Sequence, residues 1–191
     1  MDGLLRLRMG EIQLNGSIQS RLQNKGLKFS PNDQKKILHK SLELIDEEFL
    51  NDLKILLKNP IGVDKYLKKR TRVIDKALTK RFSEHGLSSR YILCAIGGFG
   101  REELFPASDI DLTIIDQDPK KKPEKELNNF ISWLWDQNFK VGHSVRSVSA
   151  MQKLARNDLQ EYTSLLSIRV LSGSKKNITY NELRDKVALF A

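Results

Sequence analysis

Two aspartates separated by one residue, Asp109 and Asp111, stand shortly after a glycine pair, Gly97-Gly98. The glycines follow an apolar run, Tyr91 to Ile96, and the aspartates lead into a second one, Leu112 to Ile115. If Ile110 to Ile115 is a strand, its period of two puts both carboxylates on one face. Neighbouring carboxylates repel, so both stay ionised only beside a compensating cation. Mg²⁺ (or Mn²⁺) is the natural candidate, because Mg²⁺ takes one or two carboxylates together with substrate phosphates. A glycine turn lets backbone come close to a phosphate. These parts together imply a site that binds a nucleoside triphosphate with a metal ion and transfers part of it.

Other residues nearby could take part. Gly97 and Gly98 form either a plain tight turn or a phosphate cradle at the start of a short helix, where free N–H groups attract anions. Arg101 could hold the triphosphate or pair with Glu103. Ser108 is either a turn residue or a hydroxyl contact to the triphosphate or to a neighbouring ligand. Arg146 has the same two readings as Arg101, a triphosphate contact or a pair with an acid. His143 is the one residue of its strand with the chemistry of a base at a suitable pKa, although a lone strand histidine is more often structural. Trp133 and Trp135 read as helix packing residues rather than stacking platforms for a base.

The elements that must carry these residues can be read from pattern. Ser30-Pro31-Asn32-Asp33 signals a helix start. Leu38, Leu42, Ile45, Phe49, Leu53 and Leu56 then recur at helical spacing as far as Asn59-Pro60. A second helix is expected from Val63 to Glu84, with Tyr66, Val73, Ala77 and Leu78 inward and Gly86 at its C-terminal cap. Tyr91 to Ile96 and Asp109 to Ile115 read as strands, with a short helix over Gly100 to Leu104 between them. A helix follows over Glu124 to Gln137, and a third strand over Lys140 to Ser147. Further helices are expected over Val148 to Arg156 and over Asp158 to Leu171, with Asp158 as N-cap of the latter. Another is expected over Asn181 to Phe190.

The paired aspartates behind a glycine turn resemble the DNA polymerase β type of nucleotidyltransferase. The fuller string is narrower. Gly97-Gly98-Phe99-Gly100-Arg101, then Glu103-Leu104-Phe105-Pro106 and Ser108-Asp109-Ile110-Asp111-Leu112, resembles the nucleotidyltransferase domain of bacterial PII-uridylyltransferases. Lys68 to Asp75 resembles the basic helix before that motif. Leu134-Trp135-Asp136 and Val141 to Ser147 resemble the segment after it. The resemblance covers roughly residues 60 to 175. It implies an α+β fold, a small mixed sheet with flanking helices, preceded by a helical extension. Residues 1–30 read as a loosely ordered lead-in, 31–88 as the extension and 89–191 as the nucleotidyltransferase domain.

By the same resemblance the donor is UTP (or another NTP), the acceptor is a tyrosine of the PII signalling protein, and Asp109 and Asp111 are catalytic metal ligands. The family's further domains, a hydrolase that removes UMP and two glutamine-sensing modules, are not expected in a chain of this length. A truncated transferase, a silent remnant that binds nucleotide or PII, and a stand-alone transferase with another protein or RNA acceptor all stay open. One departure stands out: glycine often follows the arginine in this family, and here it is Glu102, expected to point outward. The third strand lacks the carboxylate that serves as base elsewhere in the superfamily.

Composition sets outer bounds. The chain has 191 residues, 30% of them charged, with a net charge of +9. That charge suits a nucleotide, a nucleic acid or an acidic protein surface and does not choose among them; the family-like string makes nucleic acid the less expected partner. No membrane span and no signal peptide are expected, so a cytoplasmic location is inferred. The single cysteine, Cys94, lies in an apolar run and reads as a buried small hydrophobe. Lys120-Lys121-Lys122 reads as a solvated loop.

Overall fold

The computed structural model describes residues 30–56, 60–173 and 185. Contacts divide the chain into two compact units, residues 1–44 and 45–191. In the first, Ser30 and Asp33 close a reciprocal cap. The Asp33 amide donates to Ser30 Oγ at 3.2 Å, and the Ser30 amide and hydroxyl donate back to Asp33 Oδ2 at 3.2 and 2.7 Å. This is the capping-box arrangement with aspartate in place of glutamate, and it starts helix α1, Pro31–Leu56.

The second unit begins within α1. Its Ile45 and Phe49 pack with Tyr66 and Leu67 of α2, Pro60–Glu84, and Phe49 stacks on Tyr66 at 4.0 Å. Asp46 accepts from the Tyr66 hydroxyl at 2.8 Å and from Arg70 at 2.8 and 3.2 Å, which satisfies an arginine that is nearly buried. Gly86, at φ +68°, ends α2 as expected.

A 3-10 turn, Leu87–Ser89, leads into the sheet. Its strands are β1 (Tyr91–Ala95), β2 (Ile110–Asp116), β3 (Val141–Arg146) and β4 (Arg169–Ser172), in the order β3-β2-β1-β4. β1 is antiparallel to both neighbours, and β2 runs parallel to β3. The architecture is α+β with a small mixed sheet, as expected.

Every residue of β1 is buried, the mark of a strand covered on both faces. On one face Ile92, Cys94 and Ile115 pack against α5 (Val148–Asn157) and α6 (Leu159–Leu165), through Met151, Ala155 and Leu165. Elsewhere in the core Phe82 of α2 meets Phe130 of α4, Lys125–Trp135, edge to face at 5.2 Å.

Two expectations need correction. The helix expected over Asp158 to Leu171 stops at Leu165, although Asp158 does cap it, accepting from the Gln160 and Glu161 amides. Residues Arg169–Ser172 instead pair with the open edge of β1. A tertiary edge won over a local helical pattern that continued past Leu165.

The second correction concerns the glycine segment. The expected helix over Gly100 to Leu104 is displaced onto the glycines themselves, forming a single turn α3, Gly97–Gly100. Trp133 packs as read, stacked on Phe130, but Trp135 is exposed beside His143. The helix expected over Asn181 to Phe190 (Asp185 apart), the lead-in, and the Leu53 and Leu56 side chains lie outside the described residues and side chains.

Candidate active site

The site is built where β1 turns into β2. The chain leaves β1 at Ile96, makes the α3 turn, and returns through a loop to Ile110. Gly97 has φ +58°, a left-handed conformation that glycine adopts without steric cost. Gly98 does not need that freedom. A Cβ there would meet only ordinary contacts, Glu103 O at 3.8 Å and Arg101 Nη2 at 3.9 Å. The strained position of the pair is therefore its first member. Gly100 is packed so closely that a Cβ would overlap the Ser167 carbonyl oxygen.

The loop after α3 carries two more left-handed residues, Glu102 at φ +62° and Ala107 at φ +63°. Glu102 is the position where the resembled family often has glycine, and the backbone explains that preference. Its charge helps to raise the pKa of Lys68, behind the larger effect of Asp64. Ser108 sits in the turn closed by its amide to the Phe105 carbonyl at 3.1 Å.

Asp109 lies just ahead of β2 and is exposed; Asp111 is the second residue of the strand and half-buried. Burial, and then the charge of Asp109, push the Asp111 carboxyl above the ordinary aspartate range. An ionised pair here is short of positive charge.

Parallel register pairs Asp111 with Gly142, Thr113 with Ser144 and Ile115 with Arg146. Registered partners point to the same face, so Gly142, Ser144 and Arg146 share the Asp111 side. The Thr113 and Ser144 hydroxyls are 3.1 Å apart. A cleft of about 370 Å³ opens over this face, from Asp111 and Gly142 past Ser144 and Arg146 to Gln160, Glu161 and Ser164 of α6.

Each sequence-derived site residue now has a place. Gly97 and Asp111 adjoin each other: a Cβ on Gly97 would stand 3.5 Å from Asp111 Oδ2. Arg146 lines the same cleft but donates to both Glu161 oxygens, at 3.0 and 3.3 Å. Arg101 donates to Glu103 at 2.7 Å and reaches Ser167 Oγ at 3.4 Å. Of its two readings, the ion pair is the one present. His143 is in register with Leu112, not Asp111, and its ring meets Trp135 at 5.6 Å. It borders the cleft through its place in β3, but its side chain is on the face opposite that of Asp111.

The sequence reading missed Gly142 and the α6 residues. A glycine inside a strand is a signal of close approach and could have marked Gly142. Nothing local marks Gln160, Glu161 or Ser164.

The site residues can be tested against a divalent ion. Among the described residues no group of three or more His, Cys, Asp or Glu gathers to hold a metal. The protein offers two hard oxygen donors, Asp109 and Asp111, one of them with a raised pKa. That is the donor set Mg²⁺ uses when phosphates complete its shell, so the residues present fit.

No protein-family model matches the chain. Individual proteins do. Residues of this chain are 34% identical over 143 positions, 73% of the chain, to a bifunctional uridylyltransferase/uridylyl-removing enzyme of Haemophilus influenzae strain PittEE. The chain is a relative of the bifunctional uridylyltransferase/uridylyl-removing enzymes. The enzyme of that name from Pseudoalteromonas translucida is 35% identical over 68% of the chain, and that of Acinetobacter baylyi 42% over 55%. The matched stretch spans 17%, 15% and 12% of these three relatives, less than a fifth of each. Their names support a nucleotidyltransferase. No helix among the described residues is long and apolar enough to cross a membrane.

Proposed function

We propose that this chain transfers a nucleoside monophosphate from an NTP to a hydroxyl acceptor, releasing pyrophosphate. The observation that carries the proposal is Asp111, half-buried beside Asp109 and set between Gly97 and Gly142 at the mouth of a polar cleft. Asp109 and Asp111 hold a divalent ion, Mg²⁺ or Mn²⁺. When bound, the ion offsets charge on the transferring phosphoryl group. The Gly97-Gly98 turn admits the triphosphate close to backbone, because Gly98 leaves its approach open. Arg101 stands beside that approach and exchanges Glu103 for phosphate, and Ser108 is assigned a hydroxyl contact to the triphosphate. Arg146 stands further along the cleft and orients the nucleotide from the other side.

The names of the relatives support UTP as the donor, and the resemblance of the glycine–aspartate string supports a tyrosine of a PII-type protein as the acceptor. Residues 89–191 are proposed as the catalytic part, with residues 31–88 as its helical extension. The test is direct: each labelled NTP, with Mg²⁺ or Mn²⁺ and either purified PII or RNA. Label on PII from UTP supports the full proposal. Label on RNA would redirect the acceptor, and no transfer with intact NTP binding would leave a binding module.

A further inference from the structure

Gly142 has no backbone reason to be glycine. Its φ is not positive, unlike those of Gly86, Gly97 and Gly173. It sits inside β3, an edge strand, where glycine weakens pairing. A β-branched residue would suit the strand better. What a side chain there would meet is the Asp111 carboxylate. A Cβ on Gly142 would come 2.6 Å from Asp111 Oδ1 and 3.8 Å from its Cγ.

The other carboxylate oxygen has a glycine too, since the Gly97 Cβ position is 3.5 Å from Oδ2. The Asp111 carboxylate thus lies in a slot with a bare backbone on either side. We propose that Gly142 is a positioning residue: by lacking a side chain it fixes where the Asp111 carboxylate points, and so sets the affinity of the site for a divalent ion. This rests on the reading of Asp111 as a metal ligand.

The carboxylate is the end of a flexible side chain, whereas β3 is held in register along its length. A methyl group at 142 therefore displaces the carboxylate and leaves the strand. Gly142→Ala should fold with a melting temperature close to that of the parent and bind Mn²⁺ at least about tenfold more weakly, the low end of what a displaced supporting group costs. Mn²⁺ binding is read by loss of its free EPR signal, on the full chain, with and without α,β-methylene-UTP. Asp111→Asn should weaken binding as well, and adding Gly142→Ala to it should change nothing further.

Parental Mn²⁺ affinity in Gly142→Ala, with weakened binding in Asp111→Asn, overturns the positioning role and keeps the metal reading. Parental affinity in Asp111→Asn overturns both. If Gly142→Ala fails to fold, Asp111→Ala is added. Recovery of the fold supports the clash, and continued unfolding shows that Gly142 serves the backbone instead.

Discussion

Arg169 of β4 and Asp75 of α2 form a two-pronged ion pair, at 2.7 and 3.2 Å, directly behind the glycine turn. The same guanidinium donates to the Phe99 and Gly100 carbonyls at 3.0 and 3.2 Å and lies over the Phe99 ring at 5.5 Å. One side chain thereby ties a helix, an edge strand and the turn that carries Gly97 and Gly98. Arg169→Met should lose roughly 2 kcal/mol, the scale of hydrogen bonds to a partly buried charge. That lowers the melting temperature by about 4–8 °C in a chain of this size. Asp75→Asn should cost less, because the arginine keeps its two carbonyls. Equal melting curves for Arg169→Met and the parent would remove the tie.

Asp109→Asn and Asp111→Asn each delete one charged oxygen ligand at nearly constant size. Transfer should fall by about a hundredfold or more, since a bound cation contributes several kcal/mol and each 1.36 kcal/mol is a factor of ten. Circular dichroism should be unchanged. Near-parental turnover in either variant would show that the two carboxylates are not both ligands.

The two glycines of the turn should separate in mutagenesis. Gly97→Ala forces a side chain into the left-handed region and should destabilise by about 1–2 kcal/mol. Gly98→Val should fold, because its surroundings are open, and raise the KM for NTP about tenfold by standing where phosphate approaches. A tenfold loss corresponds to about 1.4 kcal/mol. Unfolding of Gly98→Val, with no separate kinetic defect, would make Gly98 structural.

Glu102 holds a conformation that costs an L-residue about 1–2 kcal/mol. Glu102→Gly relieves this but adds freedom to the unfolded chain, so the net gain should be roughly 0.5–1 kcal/mol. Urea melts measure it. A destabilised Glu102→Gly would mean that the Glu102 side chain contributes more than its backbone strain costs.

His85 gives the fold a pH dependence. Burial, then the neighbouring Arg81, hold its pKa below the ordinary 6.5, against weaker opposition from Glu84 and Glu126. Its Nε2 is buried without a hydrogen-bond partner, and its ring lies against Phe130 at 6.3 Å. A histidine with a depressed folded pKa binds protons more readily when unfolded. Its stability contribution is complete above 6.5 and is lost as pH falls through the lower folded value. His85→Gln should flatten the stability profile below pH 6.5. An unchanged slope in urea melts at stepped pH would assign the dependence elsewhere.

Much of the fold was legible because it rests on period and punctuation. Ser30 and Asp33 announce α1, Gly86 ends α2, and the apolar runs at Tyr91 and Leu112 are strands. What was not legible depends on partners distant in sequence. Arg169–Ser172 is a strand only because β1 has an open edge. Arg90 looks like an ordinary basic residue before a strand. In the fold it grips Asp116 and the carbonyls of Asp118, Lys121 and Lys122, holding the lysine loop from beneath. The site divides in the same way. The glycine–aspartate string was visible as a string, and the structure draws Gly97 and Asp111 together. The opposite wall, Gly142 with Glu161 and Gln160, is made by β3 register and by α6 folding back; of these only Gly142, a glycine inside a strand, carries a local signal.

Cys94 lies within β1, fully buried, and its pKa is pushed up to about 12 by desolvation. A thiol so placed reacts neither with oxidants nor with alkylating reagents while α5 and α6 stay packed over it. As the chain's one cysteine, it is a built-in clock for opening of the sheet. The rate at which a thiol reagent consumes it counts excursions in which α5 and α6 lift from the sheet or β1 itself comes apart.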